Sequence, residues 1–140
     1  MLAAAQEAAE LTPSAPHLLA VTVLTSIDQA QLAATGVSGS PSEQALRLAG
    51  LAYSAGIRGL VASPQEIAEL RAHYPDSRLV IPGVRPAGAT TGDQKRVATP
   101  GAAIADGADY LVVGRPITRA ADPAAAAQAI IEEMESAARR

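Results

Sequence analysis

The sequence predicts an α/β fold, a parallel sheet built from repeated strand-and-helix units, and three observations carry that expectation. Four short apolar runs recur along the chain: Ala20 to Leu24, Gly59 to Ala62, Arg78 to Ile81 and Tyr110 to Val113. They are continuous rather than alternating, as strands covered on both faces are. Between them lie alanine- and leucine-rich segments with helical spacing, such as Ala45, Leu48, Ala49 and Ala52. A pattern also repeats: Gly56-x-x-x-Leu60-Val61 returns as Gly107-x-x-x-Leu111-Val112, 51 residues later.

The punctuation between these runs agrees. Ser40-Pro41-Ser42-Glu43 reads as an N-cap, a proline at the first helical position and a capping-box glutamate. Ser63-Pro64-Gln65-Glu66 has the same form, and Thr99-Pro100 and Asp122-Pro123 open two further helices by the same logic. Gly56 and Gly107 stand where helix C-terminal caps are expected, each just before a strand. The unit is helix, glycine turn, buried strand and loop, which requires a parallel sheet with right-handed crossovers. Four such units fit either a small open sheet or part of an eight-stranded barrel, whose full form takes about 250 residues. The 140 residues are read as one domain with its own core.

Composition narrows the function classes. Hydrophobic residues make up 49% of the chain and aromatics 2%, with no Phe or Trp, so alanine, leucine and valine are expected to build the core. A net charge of -3, with no basic and aromatic surface for stacking bases, speaks against nucleic acid as a partner. The absence of cysteine excludes thiol catalysis, disulfides and Cys-ligated zinc, and it suits a reducing cytoplasm. Residues 1–16 lack a basic start and carry Glu7 and Glu10 within their apolar part, a poor signal peptide. No run approaches the roughly 18 apolar residues of a membrane span. The expectation is a soluble cytoplasmic protein with no membrane partner.

In α/β folds the functional groups gather on the loops after the carboxyl ends of strands. Those positions hold Thr25-Ser26, Ser63, the stretch from Pro82 to Gln94, and Gly114-Arg115-Pro116. A glycine such as Gly114 lets backbone N–H groups approach an oxyanion, and a following helical turn adds its positive end. Arg115 can offer a planar, bidentate fork to a phosphate. The segment from Ala87 to Gly92 has small side chains throughout, suiting a lid that orders over a ligand. Each residue also has a plainer reading. Arg85 alone would be a solvated surface arginine, Gly114-Arg115-Pro116 a turn, and Thr25-Ser26 a cap for the helix starting near Asp28. Ser63 reads as a cap, His17 as structural, and His73 as a cation at a helix end.

Taken together, "AVTVLTS", "PGVRPAGATTGDQKR", "ATPGAAIADGADYLVVGRPIT" and "ADP" resemble the carboxy-terminal half of bacterial-type orotidine 5'-phosphate decarboxylase, which converts orotidine monophosphate to UMP and carbon dioxide. The resemblance runs from near Met1 to about Met134. Its motifs keep the family's order and spacing, with nine residues from Arg85 to Gln94 and twenty from Gln94 to Gly114. Those spacings disfavour other phosphate-binding barrels. The resemblance implies the second half of a (β/α)8 barrel, the four runs being strands five to eight. It further implies that Arg85, Gln94, Gly114 and Arg115 contact the nucleotide, mainly its phosphate, with Gln94 on a closing loop. Thr25 matches a position facing the pyrimidine. No cofactor and no metal are implied.

One departure matters. The family's catalytic signature is Asp-x-Lys-x-x-Asp at the end of the third strand, whose lysine protonates the ring carbon. This chain has a single lysine, Lys95, and the residue five after Asp93 is Ala98. The expectation is therefore a binding half without its proton donor, inactive alone. A half barrel also leaves two strand edges and its inward face uncovered. The chain is expected to pair with a second copy, pair with an amino-terminal half, or rearrange into an open sheet.

Overall fold

The computed structural model describes residues 1–86 and 95–139. The chain begins with helix α1 (Leu2–Glu10), followed by strand β1 (Leu19–Val21), α2 (Gln29–Ala34) and α3 (Pro41–Ser54). Strand β2 (Gly59–Val61) leads through a single 3-10 turn (Pro64–Glu66) into α4 (Ile67–His73). Then come β3 (Arg78–Ile81), α5 (Pro100–Ala105), β4 (Tyr110–Leu111), the short α6 (Arg115–Thr118) and α7 (Pro123–Ala138).

The sheet is parallel throughout and its order is β1-β2-β3-β4. A doubly wound open sheet reverses its strand order at a switch point. Here each crossover moves one strand further in the same direction, which is the winding of a barrel. The architecture is that of a half barrel, as the sequence motifs implied.

The helix boundaries follow the local chemistry. Ser40 caps α3 through a capping box with Glu43, and Pro41 sits at the first position. Ser63 and Glu66 form the same box at the 3-10 turn, so the capping role expected of Ser63 is the one it has. Thr99 and Asp122 cap α5 and α7. Gly56 and Gly107 follow α3 and α5 with φ of 91° and 108°, a left-handed backbone that glycine adopts at little cost.

Packing is asymmetric. Side chains alternate faces along a strand, and the register places Leu60 beside Leu79, with Ile81 beside Leu111 on the same side. Leu60, Leu79 and Ile81 are fully buried against Ala49 and Ala52 of α3, Ile67 and Leu70 of α4, and Ala103 of α5. Alanine lets these helices approach closely, and Ala45, Ala49 and Ala52 line the buried stripe of α3. Isoleucine contributes more than valine among the described residues: Ile57, Ile67, Ile81 and Ile130 are buried, against Val23 and Val84, where composition had suggested alanine, leucine and valine.

The opposite face of the sheet is bare. Leu19, Val21, Tyr110 and Val112 are each at least half exposed. This corrects the expectation of strands covered on both sides: among the described residues nothing packs on the inner face, although its composition is that of a face meant for burial. The strands are also shorter than the apolar runs. Pairing of β1 stops at Val21, and Thr22 continues only through bonds from its N–H and hydroxyl to the Val61 carbonyl.

Candidate functional site

The carboxyl ends of the four strands bring Thr25, Ser63, Arg85 and Arg115 to one rim of the sheet. Thr25 is buried four residues beyond β1. It does not cap the next helix: Asp28 does, accepting from the Gln31 amide while the Gln31 side chain accepts from Asp28 N–H. That excludes the plainer reading of Thr25 as a cap.

Arg85 follows β3 and is 8% exposed, so it is not the solvated surface arginine that its isolated position would suggest. Its guanidinium donates to the Val84 carbonyl at 2.7 Å, and its backbone N–H donates to Ala98 at 2.9 Å. Val84 and Ala98 also form a parallel bridge. The chain leaving β3 is thus tied to the chain entering α5. Gln94 and the small-residue stretch from Ala87 to Gly92 lie outside the described residues.

Gly114 precedes α6 and carries open space where a side chain would stand. Its carbonyl accepts from Ile117 and Thr118, so the short helical turn expected after Gly114-Arg115 is present. Pro86 and Pro116, which follow Arg85 and Arg115, line one hollow of about 260 Å³ against Ala126, Ala129 and Ile130 of α7. The loops after β3 and β4 are therefore neighbours.

Beneath this rim lies a buried polar network that sequence reasoning did not assign. Glu66 is fully buried and Arg96 is 5% exposed. Arg96 Nη1 donates to Glu66 Oε1 at 2.5 Å, while Nη2 donates to the carbonyls of Val23 and Leu24 at 3.0 and 3.1 Å. The Ser42 hydroxyl donates to Glu66 Oε1 at 2.8 Å, and Ser63 N–H donates to Oε2 at 3.0 Å. A buried carboxylate is tolerable only when paired and hydrogen-bonded, and each oxygen of Glu66 is. The signal for it was half visible: Glu66 reads as a capping-box residue, and nothing in its local sequence names Arg96.

Lys95 lies outside that network. Its ammonium bonds Asp28 at 2.6 Å and the Gln31 side chain at 3.1 Å. The bond from Lys95 and then that from the Gln31 amide hold the Asp28 carboxyl below the usual carboxylate range. Lys95 N–H donates to the Thr25 carbonyl at 3.2 Å. The lysine is half exposed and serves as a tether between the loop after β3 and the start of α2. Among the described residues no group of His, Asp or Glu is placed to hold a metal ion, and no helix is long and apolar enough to cross a membrane.

Comparison with known proteins decides what this rim is related to. The model of the Orotidine 5'-phosphate decarboxylase / HUMPS family matches residues 1–130. The chain belongs to that family. It is 57% identical over 136 residues to an orotidine 5'-phosphate decarboxylase of Thermobifida fusca, covering 96% of this chain and 57% of the relative. It is 55% identical over 142 residues to that of Gluconobacter oxydans, covering 98% of this chain and 60% of the relative. The crystal structure of orotidine 5'-phosphate decarboxylase from Lactobacillus acidophilus superposes with a TM-score of 0.76 at 38% identity, over 96% of this chain and 58% of that one. The chain spans less than two thirds of the length of these decarboxylases. Membership of this family accounts for the sequential parallel sheet.

Proposed function

We propose that this chain is the phosphate-gripping half of an orotidine 5'-phosphate decarboxylase, the enzyme that makes UMP in pyrimidine biosynthesis. The observation that supports the reading is that Arg85 and Arg115 follow the carboxyl ends of the paired strands β3 and β4, in a chain whose family acts on a nucleotide. Arg115 supplies a bidentate fork to the phosphate, and open space at Gly114 leaves the backbone approachable. Arg85 sets the other side of the grip, Gln94 closes over it, and Thr25 meets the pyrimidine; these three roles rest on the resemblance of the motifs.

Decarboxylation breaks the bond between the ring carbon and the carboxylate, and the electron pair left behind needs a proton. In this chain the one lysine is bound to Asp28 on the surface. We therefore read the chain as a binding half that supplies no proton donor. Its bare inner face is completed by polypeptide corresponding to the part of the relatives that this chain does not span, or by a second copy.

Two measurements test this. Calorimetric titration should show UMP binding that Arg115→Ala weakens by about ten- to hundredfold, with uridine affected little. Equal losses for both ligands would remove the phosphate role. Decarboxylation of orotidine monophosphate should be absent for the chain alone and appear on mixing with the unmatched amino-terminal segment of the Thermobifida fusca relative. Turnover by the chain alone would show that it carries a proton donor after all.

A further inference from the structure

We propose that Glu66 and Arg96 form a positioning pair that sets Thr25 and Arg85 relative to one another at the rim. The consequence for nucleotide binding rests on the phosphate-gripping role proposed above; the positioning itself does not. Arg96 lies on the length of chain that returns from the loop after β3 to α5. From there one guanidinium nitrogen, Nη2, takes the carbonyls of two consecutive residues, Val23 and Leu24. Successive carbonyls in an extended strand point in opposite directions. Holding both on one nitrogen keeps the backbone out of extended geometry immediately before Thr25. The neighbouring residue completes the hold, with Lys95 N–H on the Thr25 carbonyl.

Arg96 also fixes the other side. Two residues later Ala98 accepts the Arg85 N–H, and Ala98 pairs with Val84. Glu66 orients the guanidinium through Nη1, and is itself held by Ser42 at the start of α3 and by Ser63 at the end of β2. One buried ion pair thereby joins the ends of β1, β2 and β3. A merely stabilising role would not need this arrangement, since well-packed apolar residues of similar volume stabilise as well or better than a buried pair. The directional bonds to Val23 and Leu24 are what an apolar pair cannot supply.

The test uses the whole chain with Glu66→Gln and Arg96→Met combined. The introduced glutamine keeps an acceptor for Ser63 N–H, and no charge is left buried without a partner. Thermal unfolding is expected to stay within about 5 °C of the parent. Without ligand, amide exchange at Lys95 should accelerate about tenfold or more while Leu60 and Leu79 keep their protection. UMP affinity should fall about tenfold, with uridine affinity changed much less. Unchanged exchange at Lys95 overturns the positioning role, whatever the nucleotide does. Faster exchange with undiminished UMP affinity overturns its link to the site. If the parent itself fails to bind UMP, the phosphate-gripping role falls, and exchange still decides the positioning. Should the double variant not fold, Arg96→Lys carries the same measurements, because an ammonium keeps the charge beside Glu66 but lacks the planar fork.

Discussion

Two arginines stitch this half barrel together, one at each end of the sheet, and they do so differently. At the amino ends Arg71 of α4 donates to the carbonyls of Pro75, Ser77 and Gly107 and to the Asp109 carboxylate, which in turn accepts from Leu79 N–H. At the carboxyl ends Arg96 bonds Glu66 and the carbonyls of Val23 and Leu24. The Arg71 side chain is 28% exposed and its carboxylate 40%, whereas Arg96 and Glu66 are 6% and 0%. An arginine that gathers loop carbonyls around a partly exposed carboxylate works well at the wet surface. Burying one with its carboxylate is costly and worthwhile where geometry has to be held. In barrels the carboxyl-end rim carries function and the amino-end rim stability, and the positioning role proposed for Arg96 would divide the two arginines along that line.

The largest effect should come from breaking the buried pair on one side only. Glu66→Ala leaves the Arg96 guanidinium buried without its carboxylate and strips Ser42 and Ser63 of their acceptor. A loss of about 3–5 kcal/mol is expected, read as a lower midpoint in urea unfolding. A loss under about 1 kcal/mol would mean that water reaches the pair and that the contrast with Arg71 is one of degree.

Arg71→Ala comes next. It removes several hydrogen bonds at a partly solvated site, where water can take over the freed carbonyls, and about 1–3 kcal/mol should be lost. The discriminating part is the ligand: the ratio of UMP to uridine affinity should not move. A shift in that ratio would erase the functional difference between the two ends.

How these networks could be read beforehand differs sharply between local and distant causes. The helix starts at Ser40, Ser63, Thr99 and Asp122 were legible because a cap and its partner lie within three residues of each other. Gly56 and Gly107 were legible because a left-handed backbone needs glycine. The rim positions of Arg85 and Arg115 followed from the strands that precede them. Arg96 was not legible, since its carboxylate is 30 residues away and already had a sufficient local explanation as a capping-box residue. Thr25-Ser26 was read as the cap of a helix starting near Asp28, and Asp28 itself takes that place. The bare inner face was anticipated through the half-barrel motifs, yet the same apolar runs, read locally, predicted coverage on both sides. Periodicity reports what a strand is suited to face, and the rest of the fold decides what it meets.

The smallest effect tests the outer tether of the rim, the Lys95–Asp28 pair, against the buried one beneath it. The Asp28 carboxyl is held below its ordinary pKa, chiefly by the hydrogen bond from Lys95. A depressed carboxylate binds its proton less readily in the folded than in the unfolded chain. Its contribution is therefore complete near neutrality and disappears as the pH falls through the acid carboxylate range, below about pH 4. Asp28→Asn removes that proton uptake while keeping a side-chain oxygen for the Gln31 amide. The variant's stability should decline less steeply than the parent's over that acid range, with little difference at neutral pH, because the pair is solvent-exposed and screened. Urea unfolding at a series of pH values reads both slopes. Parallel slopes would assign the acid sensitivity to other carboxylates, and a large loss at neutral pH would show the outer tether holding the rim as firmly as Arg96 does.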